Sequence, residues 1–417
     1  MSQTAASPVF YRPPVPPLID TDQLLREQLP ALAADPGPVA LDTERASGYC
    51  YYQRAYLIQL KTVATGVCLI DPVNLSAAVL GELDQAISSK EWILHAGQHD
   101  LPSLRESGLH PQRMFDTEVS ARLLCHQRVS LGPLVEEVLG ITLAKDHGNS
   151  DWSQRPLPQS WLSYAAGDVE FLIELAADLT QELAQAGKLE WARQEFAWLL
   201  EQPEPEPKPD PWRSTTDIHL VRTRRGLAII EQVWELRDRI ARELDLSPHR
   251  IVTDRAITAL AVRATHTDVA PAIQALSARD WQRKVAHEHI QDFRDAIAAA
   301  GALAETELPP LKSPHRPFPS PGRWERTKPA AAERWKLIRP AVNELAEQHQ
   351  LPVENMISPK ALRLLLWEPD GIDPDSVDRQ LAAEHVRQWQ RELVVPLIAD
   401  LLAHPERAQV GDDPGVD

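Results

Sequence analysis

Apolar positions along the chain follow two patterns, and the change from one to the other marks its organisation. From residue 20 to 200 short alternating runs are interleaved with helical spacing. The spacing of Leu24, Leu25, Leu29 and Leu32 predicts a helix over Asp20 to Leu32. Three strand-like runs follow, Val39–Glu44, Ala55 to Lys61 and Val67 to Ile70, and their short connections predict an antiparallel meander. Helices over Leu75 to Ser88, Asp100 to Ser107 and Glu118 to His126 then alternate with strands at Trp92 to Ala96 and Arg113 to Phe115. Helical segments continue at Leu131–Leu139 and Pro158 to Ala186. This order predicts an α/β layered domain with a mixed sheet. Beyond it only helical periodicity is left, over 213–302 (Ala228, Ile229, Val233, Leu236, Ile240) and again over 331–404.

Proline separates these blocks. Gln202-Pro-Glu-Pro-Glu-Pro-Lys-Pro-Asp-Pro211 favours stiff polyproline II and makes 201–212 a spacer. A second proline-rich break spans 303–330. Residues 1–19 read as an unstructured proline-rich arm, and 405–417 as an acidic tail. Leu246-Ser-Pro-His-Arg-Ile-Val and Leu351-Pro-Val-Glu-Asn-Met-Ile hold matching places in the two helical blocks, which suggests a degenerate duplication.

A chain of 417 residues exceeds one ordinary core. Cys50, Cys68 and Cys125 are scattered, so neither a disulfide framework nor a thiolate metal site is expected. No apolar run reaches the ~18 residues that span a bilayer, and Met1 to Pro17 lacks the basic-then-apolar order of a signal peptide. A cytoplasmic protein without membrane partners is the expectation. The net charge of −17 argues against a nucleic-acid partner until its distribution is counted. Residues 1–200 hold 14 basic and 25 acidic side chains, a balance of −11, whereas 211–340 hold 22 and 16, a balance of +6. Phosphates would be attracted to the middle of the chain.

The candidate chemistry begins at the strand Val39–Glu44. Residues i and i+2 share a strand face, so Asp42 and Glu44 point together, and two adjacent carboxylates repel unless a cation lies between them. Asp116-Thr117-Glu118 repeats the tripeptide and Asp168-Val169-Glu170 the spacing, so the pair alone is not diagnostic. Asp100 sits near a helix start, where an N-cap is the plain alternative. Tyr164 and Asp168 stand at i and i+4 on one helix face. Phosphodiester hydrolysis with two divalent ions needs such a set: carboxylates from several elements, and a hydroxyl to orient water. An all-oxygen site suits Mg2+ or Mn2+.

In this order the motifs resemble those of the ribonuclease D family, DEDD-type exonucleases with an RNase H-like fold. Leu41-Asp-Thr-Glu44 with Tyr51-Tyr52 and Leu57-Ile-Gln-Leu60 is similar to the first motif, and His95-Ala-Gly-Gln-His-Asp100-Leu to the second. Ser150-Asp-Trp-Ser-Gln-Arg-Pro-Leu157 followed by Tyr164-Ala-Ala-Gly-Asp168 resembles the third, and Ser163 in place of histidine puts the chain in the tyrosine subclass. The resemblance implies that Asp42, Glu44, Asp100 and Asp168 bind two divalent metal ions and that Tyr164 orients the attacking water. Thr43 and His95 are the implied substrate contacts, while His99 and His147 are read as packing or surface residues. Arg45 and His99 depart from the family pattern and bear on how the terminal nucleotide is held. Asp116 is read as helix-start chemistry and Glu170 as lying off the Asp168 face.

Residues 213–302 resemble an HRDC module through Pro211-Trp212, Glu235-Leu-Arg-Asp-Arg239, Ala241-Arg-Glu-Leu-Asp245 and Ile251-Val252, and 331–404 resemble a second, diverged copy. The expected architecture is therefore an RNase H-like α/β exonuclease domain at 20–200, followed by two all-α HRDC-type domains. Arg222, Arg224, Arg225, Arg237, Arg239 and Arg242 are either phosphate contacts or a solvated face, and Trp335, Trp367 and Trp389 are core. The implied activity is metal-dependent 3′→5′ exoribonuclease action on RNA 3′ ends, those of tRNA precursors above all. A DNA exonuclease of the same superfamily and an inert nucleic-acid-binding scaffold are the alternatives.

Overall fold

The computed structural model describes residues 9–143, 148–203, 208–266, 268–314 and 318–406. Its centre is a six-stranded mixed sheet of β2 (Leu18–Ile19), β3 (Val39–Glu44), β4 (Leu57–Thr62), β5 (Gly66–Ile70), β6 (Glu91–Leu94) and β7 (Arg113–Asp116). Outside it, β1 (Val9–Tyr11) pairs with β8 (Ile141–Leu143). The order across the main sheet is β2-β5-β4-β3-β6-β7. The expected meander is present, since β3 and β5 both run antiparallel to β4, while β6 runs parallel to both β3 and β7. The carboxyl ends of β3, β6 and β7 therefore share one edge, the edge at which open α/β sheets bind ligands. β4 is buried along its whole length, as a central strand covered on both faces must be.

Eight helices cover this sheet: α1 (Asp22–Ala34), α2 (Ala77–Ile87), α3 (Leu101–Glu106), α4 (Thr117–Leu123), α5 (Leu131–Leu139), α6 (Gln159–Glu170), α7 (Leu172–Gln185) and α8 (Leu189–Glu201). Thr21 caps α1 and Ser76 caps α2, each accepting an N–H of the first turn. The single helix expected over Pro158 to Ala186 is two, divided at Phe171, whose backbone (φ −116°, ψ 10°) leaves the helical range. The arm expected to be unstructured over 1–19 is ordered from Val9. Its ladder to Ile141–Leu143, the edge-on packing of Tyr11 against Phe171 at 5.0 Å and the burial of Pro13 hold it against α6. Residues 1–8 of the arm lie outside the described residues.

The first helical block contains α9 (Arg224–Glu243), α10 (Pro248–Ile251), α11 (Asp254–Ala261), α12 (Ala270–Ala275), α13 (Lys284–Glu288) and α14 (Ile290–Ala302). The second contains α15 (Trp324–Thr327), α16 (Pro329–Gln348), α17 (Val353–Met356), α18 (Pro359–Trp367), α19 (Pro374–Ala383) and α20 (Gln388–Ala403). In both, a 20-residue helix ends at a left-handed residue, Asp245 (φ 46°) or Gln350 (φ 51°). In both, the next leucine N–H returns to a helix carbonyl, Leu246 to Ala241 at 2.9 Å and Leu351 to Ala346 at 2.8 Å.

The spacers are shorter than their composition suggests. Trp212 and Leu308 are buried in the core of the first block, and Trp324 in that of the second, so folded structure begins before 213 and before 331. Residues 204–207, 315–317 and the tail from 407 lie outside the described residues.

The two blocks join the sheet domain differently. The second shares one hydrophobic core with it through α8, where Trp191 stacks on Trp389 at 4.8 Å. Beside that stack, buried Glu195 accepts from Arg387 Nε at 2.8 Å and Trp389 Nε1 at 2.9 Å. The first block has its own core and holds the loop after β3 through polar contacts. The N–H groups of Tyr51 and Tyr52 both donate to Asp245 at 3.1 Å, Arg54 reaches the same carboxylate at 2.7 Å, and the Arg250 guanidinium lies 3.9 Å from the Tyr49 ring centroid.

Candidate metal centre

Extended backbone through all three residues of Asp42-Thr43-Glu44 sends Asp42 and Glu44 to the same face of β3. Helix α6 packs across β3, β4 and β5 on that face and delivers Asp168. Carboxylate oxygens of Asp42, Glu44 and Asp168 lie within 4.8 Å of one another. One turn earlier on α6, Tyr164 hydrogen-bonds Asp168. Glu170, two positions on, turns elsewhere: its backbone carbonyl and its carboxylate both meet Lys61 Nζ, the latter at 3.5 Å. The expected separation of Glu170 from the Asp168 face is observed.

Asp100 arrives from β6 through a tight turn. Ala96 adopts a left-handed conformation (φ 56°), and Gly97 follows where a Cβ would lie 3.0 Å from the Leu94 side chain. Asp116 braces that turn by accepting the N–H groups of Gly97 at 2.8 Å and Ala96 at 3.3 Å. Asp100 stands at the head of α3, but its carboxylate makes no capping bond to that helix. Instead Thr43 Oγ1 donates to Asp100 Oδ1 at 2.7 Å, and Ser103 Oγ lies 3.1 Å from the same hydroxyl. The N-cap alternative for Asp100 is thus set aside by geometry.

The electrostatics are those of a site built for cations. Burial, then the charges of Asp100, Asp168 and Glu44, push the Asp42 carboxyl well above the usual range. Burial and the charges of Asp168 and Asp100 lift Glu44 to about 9, with Arg45 opposing. Burial raises Asp168 to about 7 despite the Tyr164 bond, and Asp100 to about 6 despite the Thr43 bond and the charges of Arg45 and His99. Burial and the same carboxylates hold the Tyr164 phenol far above its ordinary value. Carboxylates that resist ionising together, offering only oxygen donors, fit hard divalent cations.

Thr43 is buried and its hydroxyl is committed to Asp100, so its side chain orients a carboxylate. His95 Nδ1 lies 2.9 Å from Thr117 Oγ1, and burial lowers the imidazole to about 4, so it is neutral near pH 7. His99 is exposed, and His147 lies outside the described residues. Ser103 and the bracing role of Asp116 were not foreseen. The helix-start signal at Asp116 was legible, its second task was not.

The arginine set divides. Arg225 and Arg237 are buried and donate to carbonyls inside the first block, Leu303 at 2.6 Å and Val252 at 3.0 Å, so neither is a phosphate contact. Arg224 is held by the carbonyls of Leu308 and Pro309, and Arg242 by Asp238. Arg222 and Arg239 are exposed. Trp389 is core, while Trp335 and Trp367 pack around buried Trp324. Among the described residues no helix is long and apolar enough to cross a membrane.

Comparison with known proteins gives three family-model matches: a 3′-5′ exonuclease over residues 16–184, an HRDC domain over 226–270, and a 3′ to 5′ exonuclease C-terminal domain over 317–402. Ribonuclease D of Acidiphilium cryptum is 31% identical over 342 residues, 79% of this chain and 82% of that protein. A crystal structure of a protein from Bifidobacterium adolescentis superposes with a TM-score of 0.84 at 34% identity, covering 95% of this chain and 100% of that one. Escherichia coli RNase D, described as an exoribonuclease involved in structured RNA processing, matches with a TM-score of 0.66 at 26% identity, over 93% and 98% of the two chains.

Proposed function

The chain belongs to the ribonuclease D family and is a 3′→5′ exoribonuclease, and from that premise we propose that Asp42, Glu44, Asp100 and Asp168 hold two divalent ions, Mg2+ or Mn2+, at which RNA 3′ ends are trimmed. The observation that carries this reading is the convergence of Asp42, Glu44 and Asp168 within 4.8 Å, with Asp100 acting on all three charges. Bound there, the ions would supply an activated water and neutralise charge developing on the phosphodiester.

The side chains do the rest. Tyr164, whose phenol bonds Asp168 and is raised by burial and the neighbouring carboxylates, orients the attacking water. Thr43 and Ser103 hold Asp100 in place, and Asp116 holds the turn that carries it. Arg45 brings positive charge beside Glu44 and Asp100, where the phosphate of the 3′ nucleotide would meet it. Thr43 and His95 keep a narrower substrate role than the motifs implied, since the Thr43 hydroxyl and one His95 ring nitrogen already have partners.

The HRDC-like block, with Arg222 and Arg239 exposed, grips the RNA body, and structured RNAs, tRNA precursors foremost, are the substrates of this cytoplasmic enzyme. The second block, built in the same order around a 20-residue helix, is a diverged copy of the first. The test is a 5′-labelled RNA with an unstructured 3′ tail, beside a matched DNA, with Mg2+, Mn2+ or chelator. A metal-dependent ladder shrinking from the RNA 3′ end, absent in Asp42→Ala, is expected. A ladder in that variant equal to wild type would remove the ligand assignment, and faster turnover of the DNA would remove the RNA preference.

A further inference from the structure

Gln59 lies in the middle of β4, is 0% exposed, and neither its side-chain nitrogen nor its oxygen has a hydrogen-bond partner among the described residues. Its register places it directly across from Asp42 on β3 and from Leu69 on β5. Residues paired directly across an antiparallel ladder share a face, so the amide lies on the Asp42 side, beneath α6. Its same-face neighbours along the strand are Leu57 and Lys61. Leu57 is apolar, and the Lys61 ammonium is taken by Glu170 and Glu174. The covering face of α6 offers Leu162, Ala165 and Ala166 in one apolar cluster with Leu57 and Leu69. That cluster also holds Tyr164, which is bonded to Asp168, and Trp152, whose Nε1 is likewise without a partner among the described residues; the group directly across the ladder from Gln59 is the Asp42 carboxylate.

A buried amide without partners costs about 1–3 kcal/mol, and an apolar side chain of similar length would pack there without that penalty. We propose that Gln59 is a positioning residue for Asp42: its amide N–H donates to that carboxylate once cations draw the acidic cluster together. The inference rests on the metal-binding reading above. It adds an outer-shell group that orients one ligand from behind, a role whose loss typically weakens metal binding about 10–100-fold.

The test uses the full chain with Gln59→Met and Gln59→Leu, without RNA. Mn2+ affinity is measured by titration calorimetry or by the EPR signal of free Mn2+, and melting temperature is recorded in chelator and in saturating Mn2+. The expected result is a variant that melts in chelator at or above the wild-type temperature, binds Mn2+ about 10–100-fold more weakly, and gains less on loading. On a single-stranded RNA its kcat should fall while KM stays within about twofold of wild type. Wild-type Mn2+ affinity in both variants would overturn the role while leaving the metal reading intact. Loss of stability in chelator in both would make Gln59 a packing residue and overturn it as well. Failure of the wild-type chain to bind Mn2+ would remove the metal reading, and this inference with it.

Discussion

The tripeptide Asp-Thr-Glu occurs twice on the same sheet, and its two copies do opposite things. At Asp42-Thr43-Glu44 the strand runs through all three residues, so both acids face α6 and meet Asp168. At Asp116-Thr117-Glu118 the strand ends on Asp116 and α4 starts at Thr117. Asp116 then turns inward to accept four backbone N–H groups, those of Ala96, Gly97, Glu118 and Val119. Glu118 turns outward to Arg122, one helical turn on, at 2.8 Å. Burial raises both aspartates. At Asp116 three of those backbone donors oppose it, whereas at Asp42 three neighbouring carboxylates add to it against the single N–H of Thr43. A buried acid surrounded by donors supports the fold, and one surrounded by acids awaits a cation.

The contrast can be tested from its largest effect down. Neutralising the first copy with Glu44→Gln should lower exonuclease turnover by more than the roughly 100-fold typical of an outer-shell loss, while the chelated protein melts no lower than wild type, because repulsion is relieved. A gel assay beside a thermal melt reads both, and a lower melting temperature in chelator would make the two copies alike. Removing the second copy's acceptor with Asp116→Ala should cost about 2–4 kcal/mol by urea unfolding, since a cap and two bonds to the Ala96–Gly97 turn vanish together. Turnover should fall with it, because that turn carries Asp100.

A pH series separates the copies further. Asp100, Asp168 and Glu44 are raised to about 6, 7 and 9 in the folded chain. Above the ordinary carboxylate range the folded state therefore binds more protons than the unfolded state, and stability falls as pH rises. In chelator the melting temperature should decline through this window, and saturating Mn2+ should flatten the decline. A flat profile in chelator would show that neither burial nor mutual repulsion raises these carboxyls in the folded chain. The smallest effect is expected for Glu118→Gln, about 0.3–0.5 kcal/mol for a partly exposed i,i+4 pair, with turnover unchanged.

Much of the site was legible before any coordinates, because its parts are local. Two acids at i and i+2 on a strand, and a phenol and an acid at i and i+4 on a helix, follow from backbone periodicity alone. The residues that support them were not legible. Ser103 reaches Thr43 and Asp116 reaches Gly97 only because β6 lies between β3 and β7. Charge counting likewise overstated the exposed basic surface, since a buried arginine capping carbonyls, as Arg225 does, has the same letter as an exposed one.

By itself the sequence determined the element order and the proline-punctuated blocks, since each depends on neighbours a few residues apart, while the four carboxylates stood out through their resemblance to the family's motifs. Tertiary structure brought Asp42 and Glu44 to Asp168, turned Asp100 from its helix toward Thr43, ordered the arm from Val9, and fused the second helical block to the sheet domain through α8. Those outcomes depend on strand order and on surfaces that meet only after the chain has folded back. Propensity along the chain carries no information about either.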